Sequence, residues 1–126
     1  MKRDNIIYWI TTSLFALMMG ASGVAYFVVE TFTENFAALG FPDYFRMELG
    51  AGKILGAILL ILPMVPKFLK EWTYAAFGIT LISAVIAHLS VGDSIDKIIP
   101  IFVAFGLLLT SYIFWNRNQS QKELAV

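Results

Sequence analysis

The sequence of 126 residues contains no cysteine and only one histidine, His88. Without cysteine, disulfides, thiol redox chemistry and thiolate metal ligands are excluded. One imidazole also excludes a histidine-rich metal centre within a single chain. Charged residues are scarce at 14%, and nine basic residues balance nine acidic ones to a net charge of zero. Such a chain offers no electrostatic footprint for nucleic acid.

Apolar residues are correspondingly abundant. They make up 59% of the chain, and the mean hydropathy is +0.75, whereas a soluble domain has about 45–50% apolar residues. Four apolar runs account for the excess: residues 6–29, 46–65, 72–91 and 98–115. Each has a length suited to a membrane-spanning helix. The first run is too long for a signal-peptide core and lacks an A-x-A-like cleavage site, so we expect it to be retained.

Short connections between the later runs predict antiparallel neighbours. The expected fold is therefore all-α: a single polytopic membrane domain formed by an antiparallel bundle of four transmembrane helices. The longer connection after the first run carries Phe32, Phe36 and Leu39 on one side of a helix. Thr33 and Gly40 are its candidate caps, which predicts a short interfacial helix. Residues 116–126 are expected to form a polar, frayed cytoplasmic tail.

The distribution of basic residues predicts the orientation. Six flank the ends of the runs on one side and two flank the other: Lys2, Arg3, Lys67, Lys70, Arg117 and Lys122 against Arg46 and Lys97. Because the richer side is normally cytoplasmic, we expect both termini in the cytoplasm. The expected location is a bacterial cytoplasmic membrane.

Glu48 and Lys53 lie within the second apolar run, where an isolated charge costs at least about 2.5–3.5 kcal/mol. His88 and Asp93 close the third run and Glu30 closes the first, so all five are predicted to lie in the outer half of the bundle. Two interpretations remain open. Either Glu48 and Lys53 form a structural ion pair, or they line a ligand-binding pocket together with His88, Glu30 and Asp93.

Glycines provide the candidate helix contacts. Small residues let helices approach closely in lipid, which predicts packing through Gly20 and Gly23 of the first run and Gly52 and Gly56 of the second. The stretch GAGKILG also matches a nucleotide-binding glycine pattern. That pattern requires a preceding strand and a loop, so packing is the better explanation here.

Three motifs, ELGAGKILG (48–56), KEWTYAAFG (70–78) and AHLSVGD (87–93), resemble the DoxX-like family of small membrane proteins. The resemblance extends over residues 9–115. It implies a four-helix membrane bundle with Glu48, Gly52, Lys53, His88 and Asp93 on motif positions, and it settles no activity. Relatives include a subunit associated with a thiosulfate:quinone oxidoreductase. The absence of cysteine prevents any thiol-handling role from being carried over.

Three functions are compatible with these features. The first is a membrane binding module or accessory subunit with a Glu/Lys/His pocket for a quinone or lipid-like molecule. The second is a quinone-linked oxidoreductase subunit, whose electron carrier would come from a partner. The third is a chaperone-like assembly factor that holds other helices. A proton-coupled transporter is weaker, since no inverted repeat is present. We expect no catalytic residues, no metal and no enzyme activity by the chain alone. The expected partners are the lipid bilayer, a hydrophobic small molecule, and a membrane protein or a second copy of the chain.

Overall fold

A computed structural model describes residues 2–125, apart from the side chains of residues 123 and 125. Five α-helices form, and no strand occurs within the described residues. They are α1 (Lys2–Val28), α2 (Glu30–Ala38), α3 (Asp43–Ile61), α4 (Lys67–Ser90) and α5 (Ile99–Ala125), with a 3₁₀ turn at Ile95–Lys97 before α5. The all-α prediction and the short helix after the first apolar run are confirmed.

The helix α1 is the centre of the molecule, because it packs extensively against both α3 and α5. The contact between α3 and α4 is much smaller. Phe15 on α1 and Leu60 on α3 are fully buried in the core. The ring of Phe77 on α4 meets that of Phe15 edge to face, with the centroids 5.0 Å apart. The helices therefore converge around Phe15, whereas α3 and α4 leave space between them elsewhere.

Glycines set the distance between α1 and α3. A Cβ atom built at Gly23 would lie 2.7 Å from the carbonyl oxygen of Gly50, and one at Gly50 would lie 3.0 Å from that of Gly23. No real side chain fits at such distances, so the two backbones touch at this point. This is the close approach by which helices associate in lipid.

The short helix α2 begins three residues before its predicted cap. Its N-cap is Val29 in an extended conformation, and no side chain, including Thr33, caps it. The extended residue redirects the chain between α1 and α2. After α2, Gly40 adopts a φ of +88°, a left-handed conformation that favours glycine. Gly40 thus ends the segment as predicted.

The end of α3 is determined by proline and by a lysine. Leu62 is extended because it precedes Pro63, which disfavours the helical conformation of the residue before it. The ammonium of Lys70 then donates a hydrogen bond of 2.6 Å to the carbonyl of Leu60 in the last turn. A cation at this end also complements the helix dipole. Lys70, predicted only as a flanking charge, is thus buried against the end of α3.

The polar segment after residue 115 differs from the predicted frayed tail, because α5 continues as a helix to Ala125. Asp4 of α1 is buried, and its Oδ2 lies 3.3 Å from Nε of Arg117. The side chain of Gln121 donates a hydrogen bond of 3.2 Å to the same carboxylate. A buried carboxylate needs such partners, and they hold the last turns of α5 against the start of α1.

Three segments within residues 2–125 are long and apolar enough to cross a membrane: Lys2–Val28, Lys67–Ser90 and Ile95–Lys122. The helix α3 has 19 residues but carries Arg46, Glu48 and Lys53, which lower its hydropathy. The molecule is therefore helical and membrane-capable, and the fourth span remains a prediction.

Candidate functional site

A cavity of about 910 Å³ separates α3 from α4, with further walls from α1, α2 and the start of α5. Most of its lining is apolar. Small residues face it from both sides, Gly52 on α3 and Ala76, Ala84 and Ala87 on α4. Two helices that face each other through small residues and make contact over only a short stretch leave a channel between them. The cavity is thus a consequence of the weak contact between α3 and α4.

Lys53 is the basic residue within the wall formed by α3. Only 8% of the residue is exposed. Its ammonium donates one hydrogen bond of 2.6 Å to the Tyr26 hydroxyl and another of 3.1 Å to the Ser22 hydroxyl. It also lies 4.4 Å from the centroid of the Tyr26 ring, in a cation–π arrangement. Two of its three N–H groups therefore have partners, and all of these partners are uncharged.

No carboxylate neutralises this ammonium in the part of the chain that the structure describes. Asp4 pairs with Arg117, Asp43 with Arg46, and Asp93 with His88. Lys53 takes part in none of these ion pairs. A buried charge without a counter-ion is costly, and such groups are usually found where a protein binds something.

Glu48 lines the same cavity but does not meet Lys53. Its side chain is exposed, and within residues 2–125 it makes neither a hydrogen bond nor an ion pair. The reason is helical geometry: five residues correspond to about 140° around the axis, whereas side chains meet at spacings of three or four. The pair suggested by the sequence is therefore two residues on one cavity wall, without direct contact.

His88 lines the cavity from α4 and is held by Asp93. Its Nδ1 donates to Oδ2 of Asp93 at 2.7 Å, and Oδ1 of Asp93 lies 3.5 Å from the ammonium of Lys97. The hydrogen bond from His88 lowers the pKa of the Asp93 carboxyl from its ordinary value of 3.8, and Lys97 acts in the same direction against desolvation. Asp93 thus orients His88 instead of facing the cavity itself.

Of the five residues predicted to bind a ligand, Glu48, Lys53 and His88 line the cavity. Glu30 is exposed at the start of α2 and does not. Asp93 contributes only through His88.

Of the four glycines predicted to pack helices, three lie at contacts between helices and one faces the cavity. Gly23 lies in the contact between α1 and α3, and a Cβ at Gly56 would come within 2.6 Å of the Phe77 ring. Gly20 is in ordinary contact with Ala57. At Gly52 the structure differs from the expectation, since a Cβ there would meet nothing within 4 Å. Gly52 faces the cavity and leaves it wide beside Lys53.

Tyr26 and Ser22 are the contributors that the sequence did not single out as site residues. They lie four residues apart on α1, so both reach the same side of the helix. The backbone oxygen of Tyr26 also accepts a hydrogen bond from Nη1 of Arg46, a buried residue at the start of α3. Two polar residues four positions apart in an otherwise apolar helix were the sequence signal that could have identified them as site residues.

A second polar cluster lies apart from the cavity. The Ser111 hydroxyl of α5 is hydrogen-bonded to Thr12 of α1 and, at 2.7 Å, to the Tyr74 hydroxyl of α4. Each of these buried hydroxyls has a partner on another helix. The cluster joins α1, α4 and α5 and explains the polar residues in that half of the molecule.

Comparison with known proteins identifies a family. The family model described as the DoxX-like family matches residues 10–111, which is most of the chain and includes the cavity residues on α1, α3 and α4. No curated protein and no solved structure matches.

Proposed function

The chain belongs to the DoxX-like family of membrane proteins, and from its cavity we propose that it is a small membrane binding module or accessory subunit. The cavity between α3 and α4 takes a molecule with an apolar body and a polar headgroup, of the quinone or lipid kind. Lys53 binds the headgroup, and Glu48 and His88 are further polar contacts. The observation that carries the proposal is a buried ammonium with only uncharged partners, set in the wall of an apolar cavity.

The size and chemistry of the cavity support this class of ligand. Sites for small molecules are usually about 300–1,000 Å³, mostly apolar, with a few polar groups that orient the ligand. A cavity of about 910 Å³ with aromatic and aliphatic walls and one buried cation has these properties. A hydrophobic molecule reaches such a site from the bilayer without crossing water.

The proposed arrangement in the membrane includes α3 as a fourth span. Arg46 and Lys53 are buried within the protein, so α3 does not present these charges to lipid, where they would be costly. In this arrangement the four long helices are antiparallel, and the excess of basic residues sets both termini in the cytoplasm of a bacterial cell. Lys53 and His88 then belong to the outer half.

Native mass spectrometry of the protein purified in a mild detergent tests the proposal. We expect a bound amphiphilic molecule of defined mass. Because Gly52 faces open space, Gly52→Leu should fill the cavity without disturbing the fold, and the bound mass should disappear. A leucine at Gly106, where a Cβ also meets nothing within 4 Å but which lies outside the cavity lining, is the matched control and should retain it. A protein without any bound amphiphile, which also fails to bind added quinone or lipid, would contradict the proposal.

A second candidate, holding the helix of another membrane protein, is favoured by the small residues on both cavity walls. Small residues on a helix surface allow the backbone of another helix to approach closely in lipid. In the same experiment this function would appear as a bound polypeptide that Gly52→Leu displaces. A redox role would in addition require a partner that supplies the electron carrier.

A further inference from the structure

We propose that the ligand of this cavity is an acidic amphiphile, whose carboxylate or phosphate group pairs with Lys53 and whose hydrocarbon tail lies between α3 and α4. This inference rests on the proposed function and names the ligand class. It separates a charged headgroup from a neutral one, such as a quinone ring.

The first argument is charge. The ammonium of Lys53 is buried, and its two hydrogen-bond partners are hydroxyls. Hydroxyls satisfy N–H groups but leave the positive charge uncompensated. A quinone carbonyl would do the same, whereas a carboxylate or phosphate supplies the missing counter-ion in a site where little water screens the pair.

The acids of the chain do not supply that counter-ion. Glu48 is exposed and makes no contact with Lys53, since about 140° of rotation around the helix separates the two positions. Asp43 is paired with Arg46, and Asp93 is paired with both His88 and Lys97. No acid among the described residues pairs with Lys53, so the proposal assigns the matching negative charge to the ligand.

The second argument is the direction of the hydrogen bonds. Tyr26 and Ser22 accept from Lys53 with their oxygen atoms, so each hydroxyl keeps its own hydrogen to donate. Neither hydroxyl donates to another group in the part of the chain described. The third N–H of Lys53 is also available to donate. Ser22, Tyr26 and Lys53 all line the cavity. Three donors side by side form a site for an oxygen-rich acceptor, and an acidic headgroup offers two or three such oxygens.

The walls beyond these donors determine the rest of the ligand. Leu55 and Leu59 of α3 and Ile79 of α4 line the cavity together with the small residues Gly52 and Ala84. These side chains provide no further charged partner, so burial of a hydrocarbon tail is the favourable contact there, at about 0.8 kcal/mol for each buried methylene. A short anion without a tail would not gain this contribution.

The test compares ligands that differ only in the headgroup. The delipidated protein is placed in nanodiscs of zwitterionic phosphatidylcholine, and the binding of palmitate, lysophosphatidate, hexadecanol, acetate and a short-chain ubiquinone is measured by calorimetry. We expect palmitate or lysophosphatidate to bind at least about tenfold more tightly than hexadecanol, as a charge-assisted hydrogen bond predicts, and acetate to show no binding.

Variants connect the preference to the site. Lys53→Met should abolish the preference for the acid over the alcohol, while Lys122→Met, which removes the same charge from the exposed end of α5, should keep it. Glu48→Gln should strengthen binding of the acid, because it removes a negative charge from the same cavity wall. If Lys53→Met does not fold, Tyr26→Phe removes one donor and should weaken the acid selectively.

The outcomes distinguish this inference from the proposed function. Equal binding of palmitate and hexadecanol, or tight ubiquinone binding that Lys53→Met leaves intact, would overturn the acidic headgroup and leave the binding module standing. Acetate bound as tightly as palmitate would overturn the tail site. If none of the amphiphiles binds, both the inference and the proposed function fail.

Discussion

Lys53 is the residue at which the proposed binding role opposes stability most clearly. Its ammonium is buried and lacks a carboxylate partner within residues 2–125, although two hydroxyls and an aromatic ring surround it. Burial of a charge is costly, and residues of this kind are commonly retained for binding. Removal of such a residue frequently increases stability at the expense of activity.

The first prediction concerns the stability of the ligand-free protein. Lys53→Met should raise its free energy of unfolding by about 1 kcal/mol or more, because an apolar side chain of similar length replaces an uncompensated charge. Chemical unfolding in detergent measures this, with Lys122→Met as the control that should change little. A clear loss of stability in Lys53→Met would mean that the hydrogen bonds to Ser22 and Tyr26 outweigh the burial of the charge.

The second prediction concerns Asp93 and acid. Hydrogen bonding from His88, with Lys97 nearby, lowers the pKa of Asp93 below 3.8 in the folded protein. The unfolded state therefore takes up the proton first, so the contribution is present above about pH 3.8 and is lost as the pH falls below that value. Thermal melting between pH 5 and 3 should become less pH-dependent in Asp93→Asn. An identical pH profile in the variant would exclude this role.

At the scale of the helices, α3 has two different faces. One face touches α1 through Gly50 and Gly23, where their backbones are in contact. The other carries Gly52, which faces the cavity. Glycines two residues apart in the sequence thus serve opposite purposes, since 200° of rotation separates positions 50 and 52 on a helix of 100° per residue.

This difference gives the third prediction. Gly23→Ala should destabilise the protein by about 1–3 kcal/mol, because the added methyl group forces α1 and α3 apart. Gly52→Ala should be neutral or stabilising by up to about 1 kcal/mol, since alanine favours the helix and its Cβ meets open space. Melting temperatures of the two variants, each compared with wild type, measure the contrast. Equal destabilisation by both would place Gly52 in a helix contact.

At the scale of the whole molecule, α1 packs against α3 and α5, α5 packs against α4, and the contact between α3 and α4 is small. Two polar contacts at the ends support this arrangement. The buried Asp4 pairs with the half-exposed Arg117 and fixes α5 to α1. The buried Arg46 fixes the start of α3 to the backbone of Tyr26. With α3 and α4 fixed from behind by α1 and α5, the space between them stays open. The cavity therefore results from the order of helix contacts.

The fourth prediction concerns orientation in the membrane. Single cysteines at the exposed positions Glu34, in α2, and Ser94, before the 3₁₀ turn, should react in intact cells with an impermeant thiol reagent. A cysteine at Ser120, near the end of α5, should react only after the membrane is opened. The chain contains no other cysteine to interfere. Labelling of Ser120→Cys in intact cells would reverse the proposed orientation.

Hydropathy and periodicity were sufficient to predict the all-α fold, because an apolar run of about 20 residues has few alternatives to a helix. The same holds for the short aromatic helix α2 and for the close contact at Gly23. The residues Glu48, Lys53 and His88 were also identifiable, since ionisable groups within apolar runs are rare and conspicuous.

Only the tertiary structure decided which of these residues meet. The sequence left open whether Lys53 pairs with Glu48 or lines a pocket with it, and in the structure Tyr26 and Ser22 on another helix hold Lys53. The pairing of Asp4 with Arg117 and the helical continuation of α5 were likewise not predicted from the sequence. Local sequence determines that a segment is helical and which side of it is polar. The partner of a buried side chain depends on the rotation and spacing of whole helices, which many distant contacts set together.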